Sequence, residues 1–197
     1  MTENECANAN LALVALGANL PSSAGIPLDS LRLALRRMQE IPGLRLAAVS
    51  RFWHTPAHPP GSGPEFLNAA VRLQCRLPAA EVLAQLHRIE AELGRSRDGA
   101  RWQARVLDLD LLALGDQVWP DAATQDRWRA LPPEAQARQA PPGLILPHPR
   151  LQDRGFVLAP LAEVAPLWRH PRLGLSVAEM LRALPPAALA GMRPASA

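Results

Sequence analysis

The segment Val106-Leu107-Asp108-Leu109-Asp110-Leu111-Leu112 alternates leucine with aspartate at a period of two. That period belongs to a β-strand with Leu107, Leu109 and Leu111 on a core face and both acids on the other. The apolar pattern runs on to Leu114, and Gly115-Asp116 then turns the chain towards a short partner around Val118-Trp119. Upstream of this strand lies a charged loop, Arg95 to Arg105. Before it, Pro78 opens a helix with Val82, Leu86, Ile89 and Leu93 in register, and Gly94 caps it. Phe66 to Leu77 reads as a strand, preceded by Thr55 to Pro64, a loop with four prolines and two glycines. Leu44 to His54 is strand-like. Pro27 and Asp29 open a helix with Leu28, Leu31, Leu35 and Met38 on one face, stopped at Pro42-Gly43. Leu11 to Leu16 is a buried first strand ending at Gly17-Ala18-Asn19.

The resulting order is strand, helix, strand, strand, helix, strand. It predicts an α+β, ferredoxin-like βαββαβ core, a mainly antiparallel sheet with helices packed on it. Extra elements follow at the C-terminal side. Pro120 to Gly143 is expected to be an inserted, partly helical excursion of low order, and Leu144 to Leu146 is short and strand-like. Ser176 is the expected N-cap of a last helix through Leu184, and the chain from about residue 185 reads as a loose tail. The whole, 1–197, is expected to be one domain.

Bulk composition narrows the function. Of 197 residues, 48% are apolar, a globular composition. Cys6 and Cys75 have no metal-ligand spacing and read as reduced thiols. The N-terminus lacks a basic secretory start, and no apolar run approaches the roughly 20 residues of a membrane span. A cytoplasmic location and no membrane partner are therefore expected. All 21 basic side chains are arginine. A phosphate-binding loop ending in Gly-Lys-Ser/Thr is thus impossible, yet the guanidinium fork suits bidentate phosphate contacts. A formal charge of +3 is too small to argue for nucleic acid, and none is expected as a partner.

Asp108 and Asp110 would stand roughly 6–7 Å apart at Cα, close enough to flank one or two hard cations. Mg²⁺ commonly takes carboxylates together with phosphate oxygens. A bare Asp-x-Asp on a strand is more often a solvated face. Its neighbours argue otherwise, because Arg95, Arg97, Arg101 and Arg105 immediately precede it and could balance a polyphosphate. His148, Arg150 and Arg154 form a second basic group, although a lone histidine is usually only packed or exposed. Phe66 and Asn68 share a strand face, suited to stacking a flat heterocycle and bonding its edge, or simply to core packing.

Read together, Val14 to Leu20, Ser50 to Pro56, Phe66 to Val71, Arg88-Ile89-Glu90 with Gly94-Arg95, Arg101 to Asp110, Pro147-His148 and Arg154-Gly155-Phe156 resemble the 6-hydroxymethyl-7,8-dihydropterin pyrophosphokinases. The resemblance implies transfer of the β,γ-diphosphate of ATP to the hydroxymethyl group of the pterin, a step of folate biosynthesis. It makes Asp108 and Asp110 ligands of two Mg²⁺ ions, and Arg95 and Arg105 catalytic-loop arginines, with Trp102 closing that loop. Arg97, His148, Arg154 and Glu90 are implied on the ATP side. Phe66 and Phe156 would sandwich the pterin, with Asn68, Thr55, Pro56 and Ala57 completing its pocket. A monomer is expected. Departures from the family pattern are Gln103 after the tryptophan, Phe66 where tyrosine is common, Ala57 and His58 in the substrate loop, and the long connection 120–143.

Overall fold

A computed structural model of the chain describes residues 10–57, 61, 63–94 and 105–195. In chain order the elements are β1 (Asn10–Ala18), α1 (Pro27–Glu40), β2 (Leu44–Val49), β3 (Trp53–Thr55), β4 (Phe66–Cys75), α2 (Ala79–Glu92) and β5 (Asp108–Leu114). There follow α3 (Ala122–Arg129), α4 (Pro133–Arg138), α5 (Gly155–Val164), α6 (Val177–Ala183) and β6 (Arg193–Pro194). The sheet runs β5-β1-β4-β3-β6, with β2 also paired to β4, and every pairing is antiparallel. This is the expected ferredoxin-like core with additions.

Strand alternation divides the sheet into two faces. Val14 and Leu16 of β1, Val71 and Leu73 of β4, and Leu109 and Leu111 of β5 point to the side covered by α1 and α2. Leu13, Ala70 and Leu112 point to the side covered by α5 and α6. α5 covers only part of its face. Beyond its first turn, Gly17, Asn68, Asp108 and Asp110 are left at an open end of the sheet, and that end is where the cavities lie.

Four expectations are revised. The strand expected over Leu44 to His54 is broken: the backbone of Ser50 donates to Ala70 O (2.9 Å), and Ser50 Oγ accepts from Ala70 N (2.9 Å). A side chain thus replaces a backbone rung, and β2 and β3 separate there. The helix α5 was absent from the sequence expectation. Its residues are apolar nearly all round, with Val157, Leu158, Leu161 and Val164 buried, and Pro160 lies within it. Such a segment has no amphipathic period to read.

The third revision is the excursion after Pro120. It is an anchored helical element: the Asp121 side chain caps α3, and Gln125 is fully buried with its Nε2 donating to Pro147 O (3.2 Å). Trp119 and Leu146 exchange backbone hydrogen bonds (2.9 and 3.1 Å) and close the excursion at its base. The fourth is the tail. Pro186–Leu189 forms a 3₁₀ turn and Arg193–Pro194 an edge strand on β3, while Arg193 pairs with both carboxylate oxygens of Glu65 (2.8 and 2.7 Å). The last helix begins as expected, with Ser176 and Glu179 forming a reciprocal capping box. Cys75 is buried and free.

Candidate active site

The site is built across three strands. Gly17 of β1 lies opposite Asn68 of β4 on one side and Asp108 of β5 on the other. One step along, Ala15 lies opposite Ala70 and Asp110. Small residues on the central strand leave room for polar side chains from both neighbours. A Cβ on Gly17 would stand 2.6 Å from Asn68 Oδ1, so only glycine admits the amide there. Asn68 Nδ2 donates to Thr55 Oγ1 (2.7 Å), which fixes which edge the amide presents.

Asp108 and Asp110 project from the site face, as the period of two requires, while Leu107, Leu109 and Leu111 are buried. Each acid faces an arginine. Arg105 pairs with Asp108, and Arg154 Nη1 lies 3.5 Å from Asp110 Oδ2. Burial lowers the proton affinity of the Arg105 guanidinium, but Asp108, then Asp110 and Glu90, more than offset this and leave its pKa raised. The carboxylates already hold cationic groups, which is the environment a divalent ion would take over. Among the described residues there is no group of three or more histidine, cysteine or acidic side chains placed to hold a metal. Two hard oxygen donors on one face fit Mg²⁺ if phosphate oxygens supply the other ligands.

Asn19 holds the approach to Arg105. Its Oδ1 accepts from Arg105 N (2.7 Å), and the backbone N–H groups of Asn19 and Leu20 donate to Arg105 O (2.9 and 3.2 Å). The Asn19 amide also donates to Pro64 O (3.0 Å), tying the same residue to the loop before β4. Both partners are backbone groups, so no pattern of side-chain types in the sequence marks this role.

Two cavities open at this end of the sheet. The smaller, about 130 Å³, is lined by Thr55, Pro56, Phe66, Asn68, Arg105, Asp108, Asp110, Arg154 and Phe156, all expected at the site, and also by Ala15, Leu16, Gly17 and Val157. The larger, about 530 Å³, lies within the usual 300–1,000 Å³ of small-molecule sites. Its lining includes His148, Leu111, Leu144 and Ile145, with Trp128 and residues 139–143 from the excursion. Arg105, Asp110 and Arg154 line both.

The remaining expected residues fall as follows. His148 Nδ1 accepts from Arg150 N (3.1 Å), leaving Nε2 as the proton-bearing nitrogen. Burial first, then Arg154 and Arg150, push its pKa down to about 3, so the ring is neutral and can donate without adding charge. Arg154 also lies over the Phe156 ring, 5.6 Å from its centroid. Ala57 is buried beside Pro56 and does not line either cavity. Glu90, expected on the ATP side, is instead 1% exposed behind β5, where its Oε1 accepts from Leu109 N (2.8 Å). The register of α2 that buries Val82, Leu86 and Ile89 carries Glu90 inward with them. Arg95, Arg97, Trp102 and Gln103 lie outside the described residues.

The chain has recognisable relatives among known proteins. The family model for 7,8-dihydro-6-hydroxymethylpterin-pyrophosphokinase matches residues 13–166. A 2-amino-4-hydroxy-6-hydroxymethyldihydropteridine pyrophosphokinase of Pseudomonas aeruginosa is 36% identical over 172 residues, 87% of this chain and 90% of that protein. The protein of the same name from a Synechocystis strain is 34% identical over 170 residues, 86% and 74% of the two chains. Among solved structures, wild-type HPPK-DHPS of Plasmodium falciparum matches in fold with a TM-score of 0.60 at 14% identity. That match covers 88% of this chain but 44% of the other, so this chain spans less than half of that structure's length. On the family match and these two relatives, the chain belongs to the 7,8-dihydro-6-hydroxymethylpterin-pyrophosphokinase family.

Proposed function

We propose that this protein transfers the β,γ-diphosphate of ATP to the hydroxymethyl group of 6-hydroxymethyl-7,8-dihydropterin and releases AMP, as a step of folate synthesis. The observation that carries this reading is the pair of unequal cavities meeting at Arg105, Asp110 and Arg154. A small pocket with an aromatic residue from each of two elements and an amide on its floor suits a flat bicyclic acceptor. A larger one suits a nucleotide. The charged groups they share lie where a phosphoryl chain would pass from donor to acceptor.

Each residue has work to do in that transfer. Phe66 and Phe156 would hold the pterin ring, and Asn68, bonded to Thr55, would bond its polar edge. The hydroxymethyl oxygen attacks the β-phosphorus and gives up its proton to solvent, the bond from that phosphorus to the α,β-bridging oxygen breaks, and AMP leaves with the electron pair. Arg105 and Arg154 are placed to balance charge on the transferring group, an electrostatic effect that counts most where the charge develops. Neutral His148 donates from Nε2 towards the phosphates. Asp108 and Asp110 would hold two Mg²⁺ ions together with phosphate oxygens. Bound there, such ions offset phosphate charge and align the chain for in-line displacement. Arg95, Arg97 and Trp102 are proposed to complete the site, in the roles the family resemblance gives them.

The test is direct. The pure protein is incubated with ATP, Mg²⁺ and the hydroxymethyl-dihydropterin, and AMP is followed by chromatography. AMP that forms only when pterin and metal are both present supports the proposal. ADP formation, or no turnover by a folded protein, would refute it.

A further inference from the structure

The larger cavity is lined by apolar side chains as well as by Arg105 and Arg154, and the 120–143 excursion builds part of it. Leu111, Leu144 and Ile145 supply the core side of the apolar lining. Trp128 of α3 and the segment from Gln139 to Gly143 supply the other. Trp128 is half-buried, so its ring is neither packed away nor fully in solvent.

The helix that carries Trp128 is held firmly. Gln125, on the same face three residues earlier, is buried and bonded to Pro147 O. Asp126 accepts from Arg129 (2.9 Å) and from Arg172 Nε and Nη2 (3.1 and 2.6 Å), which ties α3 to the segment before α6. The opposing segment contains Pro141-Pro142, whose fixed φ makes a stiff wall with little conformational freedom to lose on binding.

We propose that the 120–143 excursion forms the base-binding wall of the nucleotide site, with Trp128 the side chain against which the purine lies. This rests on the ATP-dependent transfer proposed above. The arginines of the lining take the phosphates, which leaves its apolar side chains and Trp128 for the base. There an indole offers a rigid π-face that a flat heterocycle can stack on. Aromatic–base stacking is worth about a fivefold to hundredfold change in affinity. If Trp128 merely packed the excursion onto the core, its removal would lower stability without distinguishing one ligand from another.

The test compares Trp128→Ala and Trp128→Phe with the unaltered full chain in the presence of Mg²⁺. Dissociation constants are measured for a non-hydrolysable ATP analogue, for tripolyphosphate and for the pterin, alongside the thermal midpoint. Expected is about a tenfold weaker analogue affinity for Trp128→Ala, with tripolyphosphate and pterin affinities unchanged and most of the loss restored in Trp128→Phe. Unchanged analogue affinity in a folded Trp128→Ala, or equal loss of analogue and tripolyphosphate binding, would overturn the proposal. Should Trp128→Ala not fold, the chain labelled with 5-fluorotryptophan decides. The Trp128 resonance, assigned through Trp128→Phe, should shift on adding the analogue and stay in place with pterin alone. No shift with a saturating analogue overturns the assignment. Both readouts are independent of turnover, so absence of AMP formation would remove the transfer proposal without deciding this one.

Discussion

Gly17 makes room in the smaller cavity by having no side chain. It stands between Asn68 and Asp108 in the sheet, and a Cβ there would come within 2.6 Å of Asn68 Oδ1, so the amide would have to shift. Gly17→Ala is therefore expected to keep nucleotide affinity, weaken pterin affinity about tenfold, and cost roughly 1–3 kcal/mol of stability from overpacking. Calorimetric titration with each ligand and a thermal melt check this, and an unchanged pterin affinity would contradict it. The two acids and Arg105 should separate differently. Asp110→Ala is expected to lower turnover by at least about 10²–10³-fold while leaving pterin affinity without nucleotide intact. Arg105→Ala is expected to act mainly on kcat, as for a contact that strengthens in the transition state. Steady-state kinetics decide both, and a pure rise in KM for Arg105→Ala would remove its role. At this scale the acids were legible because a period of two sends them to one face. Asn19 was not, since its task is to bond the backbone of Arg105 and Pro64, and no pattern of side-chain types records that.

At the level of elements, α1 and α2 were readable because each buries one face and leaves the other polar, and β1, β4 and β5 because they are short apolar runs closed by turn residues. α5 was not, because it is apolar nearly all round, and nothing in its composition separates a buried helix from a buried strand. The order of the tail is hidden from sequence for a related reason. Its order comes from distant partners: β3 as a pairing edge, Glu65 for Arg193, and Pro56, which lies so close to Gly191 that a Cβ there would meet Pro56 Cγ at 2.8 Å. Those contacts brace the strand that carries Thr55 and the loop that carries Pro56. Removal of residues 186–197 is expected to weaken pterin binding about threefold to tenfold, some 0.7–1.4 kcal/mol, and to leave ATP binding unchanged. Equal loss of both ligands would place the brace elsewhere.

For the molecule as a whole, His170 couples folding to pH. It is fully buried, and its Nδ1 accepts from Arg172 N (3.1 Å) and Leu173 N (3.3 Å). Burial, reinforced by Arg129, pushes its pKa down to about 4 from the ordinary 6.5. Between those values the unfolded chain binds a proton at this position and the folded chain does not, so acid favours unfolding. Stability is expected to fall by on the order of 1–3 kcal/mol as the pH drops from about 6.5 to about 4. Denaturant melts across that range should show the slope, to which the buried His148 contributes with the same sign, so His170→Asn should reduce it without abolishing it, and an unchanged slope would remove His170 from the account.

The central claim is that β5 presents Asp108 and Asp110 to metal ions bound on a triphosphate, with Arg105 and Arg154 sharing its charge. A crystal structure with Mg²⁺, a non-hydrolysable ATP analogue and the pterin tests it most directly. The account predicts both carboxylates coordinating metal that bridges phosphate oxygens, with the two arginines against the phosphoryl group nearest the pterin hydroxymethyl oxygen. Phosphates bound away from both carboxylates, with the acids still paired only to Arg105 and Arg154, would contradict it.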